Sequence, residues 1–304
     1  MGILSHFPLG DNPGREALGR RTNVEPIPRA GALKSSATSL ACTQFPQLNR
    51  AVHFGETRIV LCEDDVDLGR RAAEDVGATI RQVLSEQEEL RIVLAAGESQ
   101  NTFFQALTRH TDLEWNRIVC FNMDDFWDPR MERRFSCGYQ TQTQLYDKVH
   151  PRAFHLVDAS APDPAVEARR FEALLSEAGR IDITCQGIGT SGHLALNEPG
   201  STDFEEPRRV KVVDIAEQSK RQLMADPNFK ALGYIPDKGI TMTIPALLSA
   251  RHIFTIVPLA LKRPILTRVL KTEAPDPDLP ASIIRTVLGR LYVDRDSCPR
   301  HLLS

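Results

Sequence analysis

From Arg58 onward, short apolar runs rich in β-branched residues alternate with stretches of helical periodicity, and that order restricts the chain to few folds. RIVLC (Arg58–Cys62) reads as a strand, residues 65–84 as a helix, and RIVLAAG (Arg91–Gly97) as a second strand that stops at a glycine. Together they make one βαβ unit. NTFFQALTRH continues as a helix, RIVCFN (Arg117–Asn122) as a strand and YQTQTQLYDKV as a helix. The next helix is punctuated at both ends. Asp163 can cap its free N–H groups, Pro164 suits its first turn, and Phe171, Leu174, Leu175 and Ala178 share one face before Gly179. Beyond it, IDITCQGIG reads as a strand, RRVKVV as extended, IAEQSKRQLM as a helix, GITMTI and HIFTIVP as strands, and KRPILTRVLK as a helix. There is no internal repeat. The expected fold is α/β: a doubly wound, mostly parallel sheet with helices on both faces, a Rossmann-like three-layer arrangement filling residues 51–304 as a single domain. In such sheets ligands bind at loops beyond the carboxyl ends of strands.

Residues 1–50 stand apart, with Gly, Pro, Ser and Arg scattered through them and no sustained apolar period; they are expected to be a poorly ordered extension. Their arginines and serines suit an organelle-targeting leader, but Asp11, Glu16 and Glu25 weigh against one. The whole chain of 304 residues is 41% apolar and 25% charged, enough to bury a core. A formal net charge of -3 gives no overall attraction to nucleic acid or anionic membrane, so a small polar ligand is the expected partner. The six cysteines (Cys42, Cys62, Cys120, Cys137, Cys185 and Cys298) form no Cys-x-x-Cys pair and no zinc-type group with histidine, and they read as reduced thiols. No cofactor or metal is expected. No run approaches the ~18 to 20 apolar residues that cross a bilayer, and the chain is expected to be cytoplasmic.

Three of the strand ends carry polar groups. In AAGESQNTFF a glycine turn leads into Ser99, Gln100, Asn101 and Thr102 opening a helix, where free N–H groups and the positive dipole end favour an anion. Small-residue turns of this kind recur throughout α/β proteins, so the feature is weak alone. In FNMDDFWDP, Asp124 and Asp125 follow an apolar strand directly; a carboxylate shielded by Phe126 and Trp127 could serve as a general base, and the plainer reading is a solvated acidic turn. The third is GIGTSGHLALNEPG (Gly187–Gly200), which puts His193 on a glycine-rich loop five residues before Glu198. Histidine moves protons near neutral pH, and a neighbouring carboxylate can hold its ring. A surface or capping histidine is the plainer alternative there.

In order and spacing, FNMDDFW, GIGTSGHLALNEPGS and GITMTIPALLSARHIFTIVP resemble the glucosamine-6-phosphate deaminase (isomerase) family, which is grouped with the 6-phosphogluconolactonases. The resemblance covers roughly Arg58 to Asp294, and the Asn-Glu-Pro after the Gly-His favours the deaminase branch. It implies conversion of an amino-sugar phosphate to a ketose phosphate with loss of ammonia, without a metal. On this chain it implies Asp124 as the proton-transfer base, His193 as the ring-opening acid/base and Glu198 as its supporting carboxylate. For the phosphate it points to Gly97, Ser99, Ser201 and Lys262. Homo-oligomers occur in that family.

Four departures stand against the pattern. Ser191 stands where the family has an aspartate, so one of two carboxylates around the histidine is missing; such a charge is worth one or more pKa units, each about 1.4 kcal/mol. Glu98 replaces a glycine or small residue of the phosphate loop. Leu259 replaces a glycine in the turn before Lys262. The family's phosphate-binding arginine has only Lys220 and Arg221 near its expected position. Asp125, beside Asp124, is a further candidate site residue. Two other readings accompany the deaminase: a sugar-phosphate lactonase or related hydrolase that uses the histidine as base, and a non-catalytic sugar-phosphate-binding protein.

Overall fold

The computed structural model describes residues 52–224 and 227–303. The expected extension over residues 1–50 lies outside the described residues. In chain order the strands are β1 (Val52–Phe54), β2 (Thr57–Leu61), β3 (Leu90–Leu94), β4 (Ile118–Asn122), β5 (Asp124–Trp127), β6 (Ala153–His155), β7 (Ile183–Gln186), β8 (Val210–Asp214), β9 (Lys238–Met242), β10 (His252–Val257) and β11 (Gly289–Val293).

Eight of them form one sheet in the order β1-β2-β11-β10-β7-β3-β4-β6. Every pairing is parallel except β1 with β2 at one edge. Both faces of its strands are apolar, as a buried parallel sheet requires. Ile92, Leu94, Cys120, Ile183 and Ile256 meet Leu68, Val76, Ile80, Phe103 and Leu107 from the helices Asp65–Glu86 and Asn101–Leu107. Val93, Phe121, Val257 and Leu291 meet Phe171 and Leu175 of Pro164–Ala178 and Ile265 and Leu266 of Arg263–Val269. Each such side chain, fully buried, is worth about 1.5 to 3 kcal/mol. Helices therefore cover both faces, and the punctuation of the helix Pro164–Ala178 holds: the Asp163 carboxylate accepts from Ala165 N and Val166 N, and Gly179 closes it.

A second sheet, β5-β9-β8, is antiparallel and was not expected from the sequence. RRVKVV and GITMTI are extended as read, but they pair with each other and with Asp124–Trp127 outside the parallel sheet. Ile240, Met242 and Val210 of this small sheet join the same apolar cluster as Val93, Phe121 and Phe171. No helix among the described residues is long and apolar enough to cross a membrane.

The topology sets the place of the site. From β3 the chain winds outward to β4 and β6, whereas from β7 it winds the other way to β10 and β11, and β3 and β7 are neighbours. Their carboxyl ends flank the switch point, where a crevice opens in doubly wound sheets.

Candidate active site

The loops after β3, β4, β7 and β10 line one cleft of about 240 Å3 at that end of the sheet. Gly97, Glu98 and Ser99 come from the first, Met123 and the adjoining first residue of β5, Asp124, from the second, Gly189 and His193 from the third, and Leu259 and Lys262 from the fourth. The structure thus brings Gly97, Ser99, Asp124, His193 and Lys262, all singled out in the sequence, to one cleft.

The Gly-His loop is built to seat an imidazole. Gly192 sits at φ +93, a conformation that side chains rarely adopt, and its N–H donates to Gly189 O at 2.9 Å. Gly189 N donates back to His193 O at 3.0 Å, closing the turn. Asn197, buried beneath, donates from Nδ2 to Leu194 O and Met242 O, both at 2.9 Å, and so ties the loop to the second sheet.

Around His193 the hydrogen bonds specify a tautomer. Glu198 is 2% exposed; burial would raise its proton affinity, but bonds from His193, Ser219 and Ser191 and the histidine's charge outweigh that and hold its pKa at about 2. It is therefore an ionised acceptor. Ser191 Oγ donates its only proton to Glu198 Oε2 at 2.7 Å, so the contact from Ser191 Oγ to His193 Nδ1 at 2.8 Å makes Nδ1 the donor. Nδ1 also lies 3.1 Å from Glu198 Oε1. With the proton so assigned, the Nε2 lone pair of the neutral ring is left for the cleft. Ser191 occupies the place where the resemblance implies an aspartate and bridges the pair without adding charge.

Asp124 and Asp125, adjacent in β5, point to opposite sides. Asp124 faces the cleft, and burial raises its pKa to about 6 against the opposing pull of His193. That makes it a base of useful strength at neutral pH. Asp125 is fully buried away from the cleft and accepts from Cys137 N at 3.0 Å and Gly138 N at 2.8 Å, anchoring the start of the helix Cys137–Thr141. Its work is structural.

At the other group of loops, Lys262 donates to Ile188 O at 2.8 Å, and burial lowers its pKa to about 8 while Glu98 opposes the shift. Glu98 is exposed on the cleft rim. Leu259 lies at φ +82, the backbone conformation a glycine would adopt without strain, yet Lys262 still reaches the cleft.

The remaining sequence candidates lie elsewhere. Ser201 is exposed, does not line the cleft, and donates to Glu198 O at 3.2 Å. Lys220 is engaged by Asp237 at 2.6 Å and Glu217 at 3.1 Å, and neither it nor the exposed Arg221 lines the cleft. Leu223 and Phe229, from the same stretch, do line it. Sequence reasoning missed Ser219, which donates to Glu198 from a separate helix; a serine in a polar helix carries no local signal. Among the described residues no group of three or more His, Cys, Asp or Glu is placed to hold a metal ion.

Over residues 63–293 the chain matches the family described as glucosamine-6-phosphate isomerases/6-phosphogluconolactonase. A glucosamine-6-phosphate deaminase of Lysinibacillus sphaericus is 30% identical over 191 residues, 63% of this chain and 83% of the relative. That of Oceanobacillus iheyensis is 28% identical over 235 residues, 75% and 90% of the two chains. Among solved structures, a monomeric glucosamine-6-phosphate deaminase superposes with a TM-score of 0.69 at 24% identity, covering 79% of this chain and 98% of its own. A 6-phosphogluconolactonase from Thermotoga maritima gives 0.61 at 21% identity, covering 78% and 98%. Both share the fold.

Proposed function

The chain belongs to the family of glucosamine-6-phosphate isomerases and 6-phosphogluconolactonases, and we propose that it converts glucosamine 6-phosphate, or a related amino-sugar phosphate, to the ketose phosphate with release of ammonia. The observation that carries this reading is that a carboxyl group with a raised pKa, Asp124, shares one cleft with His193, Gly97, Ser99 and Lys262. Curated relatives named as deaminases support it.

In this reading Lys262 and the donors of the Gly97–Ser99 turn bind the phosphate. His193, its Nδ1–H held by Ser191 and Glu198, uses Nε2 to carry a proton from the O1 hydroxyl to the ring oxygen as the sugar opens. Asp124 takes the proton from C2 and returns it to C1. The C2 amine is thereby converted to an imine, water adds to it, and ammonia leaves a ketone. Between ring opening, which breaks a C–O bond, and hydrolysis, in which water forms a C–O bond and the C–N bond breaks as ammonia leaves, the steps are proton transfers, and O1 gains a proton as the amine gives one up.

A lactonase is the second reading, favoured by one observation. Ser191 gives His193 a neutral neighbour, and hydrolysis of a sugar lactone needs a histidine base but no second carboxylate beside it. Thermal melting against a panel of sugar phosphates separates the two. Stabilisation by glucosamine 6-phosphate and fructose 6-phosphate is expected; stabilisation by 6-phosphogluconate alone would transfer the assignment to the lactonase.

A further inference from the structure

Glu198 is held by three donors, and one of them arrives from outside the Gly-His loop. Ser219, 6% exposed on the helix Glu217–Leu223, donates from Oγ to Glu198 Oε1. That is the same oxygen that faces His193 Nδ1 at 3.1 Å, whereas Ser191 engages Oε2. The carboxylate therefore offers His193 an oxygen already shared with a hydroxyl. Hydrogen bonds to a carboxylate stabilise its ionised form, and a shared acceptor attracts each donor less.

We infer that Ser219 is a positioning residue: its hydroxyl fixes the orientation of Glu198 and weakens the hold of the His193–Glu198 pair on its proton, so that the imidazole can act in both directions of proton transfer. The inference deepens the proposed acid–base reading and rests on it for its catalytic consequence, but not for its physical one. The groups facing the pair are Ser191 from the same loop, Ser219 from the helix, and Asp124 of β5, whose charge interacts with His193. The helix has other anchors. Lys220 pairs with Asp237 at 2.6 Å, and Leu223 packs at the cleft wall, so loss of one hydroxyl does not by itself unseat it.

The test is a titration of the His193 imidazole by NMR in the full chain, comparing the parent with Ser219→Ala, Ser219→Cys and Ser219→Thr. Alanine removes the donor, cysteine keeps the volume with a weak donor, and threonine retains the hydroxyl. The midpoint of the coupled pair is expected to rise by about half to one pH unit in the alanine and cysteine variants, and to stay at the parent value with threonine. In the ammonia-release assay the same two variants should lose about tenfold in kcat with KM changed less than about threefold, and the acid limb should move up with the NMR midpoint. An unmoved midpoint in both the alanine and cysteine variants overturns the inference, whatever happens to turnover. The NMR readout needs no substrate, so a parent protein that releases no ammonia would refute the proposed reaction while leaving the role of Ser219 to be decided by the titration.

Discussion

The backbone of Gly189 lies directly beneath the imidazole of His193: a Cβ at Gly189 would stand 1.9 Å from Nε2. Nε2 is the nitrogen left for the cleft, so the absence of a side chain at Gly189 is what allows the ring its position. Gly189 is not in a left-handed conformation, and alanine can adopt its backbone. Gly189→Ala is therefore expected to leave the melting temperature within a few degrees of the parent while displacing the ring by more than an ångström. Misplacement on that scale costs about a hundredfold in turnover. Parallel melting and kinetic measurements check both halves.

Ser191 is the point at which a second charge can be added beside His193. Ser191→Asp would place a second carboxylate beside Glu198, whose Oε2 is 2.7 Å from the present hydroxyl. Two carboxylates and one imidazolium hold a proton more tightly than one, so the acid limb of kcat/KM is expected to move up by about one pH unit. The variant should lose about 1 to 3 kcal/mol of stability from the buried like charges. Ammonia release and denaturant melts measure the two effects.

In the proposed reaction two shifted groups bound the pH range of activity. Asp124, raised to about 6, works as a base when ionised, so activity is lost as pH falls through that value. Lys262, lowered to about 8, binds the phosphate when protonated, so affinity is lost as pH rises past it. Glu98 on the rim opposes a phosphate dianion. At ~5 Å and an effective dielectric near 20 the repulsion would be about 3 kcal/mol per charge pair, and exposure to solvent reduces the whole to about 1 kcal/mol. Glu98→Gln is expected to lower Kd for a sugar phosphate roughly fivefold, measured by calorimetry at constant ionic strength.

Leu259 holds φ +82 at the turn into Lys262. A left-handed conformation costs a non-glycine residue about 1 to 2 kcal/mol, and glycine gives back about 0.5 to 1 kcal/mol in chain entropy. Leu259→Gly is thus expected to be neutral or stabilising by up to about 1 kcal/mol, where truncating a half-buried leucine would ordinarily destabilise. A denaturant melt showing a loss above 2 kcal/mol would mean that packing of the leucine dominates.

What was legible in the sequence follows from how local each signal is. The parallel strands β3, β4, β7 and β10 are short runs rich in apolar and β-branched residues, and the helix Pro164–Ala178 carries its own caps, so each could be read from its own residues. The glycines around His193 marked a sharp turn at a strand end for the same reason. The second sheet escaped because Asp124–Trp127 becomes a strand through pairing with Lys238–Met242, more than a hundred residues away, and nothing in DDFW itself demands it. The three-residue edge strands Val52–Phe54 and Ala153–His155 are too short to show a period. Ser201 was placed at the anion seat by its motif alone, but its loop carries it to the exterior. Ser219 and the opposite facings of Asp124 and Asp125 needed three-dimensional contacts to be seen.

The central claim is most directly tested by measuring ammonia released from glucosamine 6-phosphate by the parent protein and by Asp124→Asn, a near-isosteric change that removes the base and leaves Lys262 and the anion loop in place. Release by the parent, with a fall of at least a thousandfold in the variant and binding of fructose 6-phosphate retained, is the predicted result. A parent protein that binds the sugar phosphate but releases no ammonia, or a variant that releases it at the parent rate, would contradict the account.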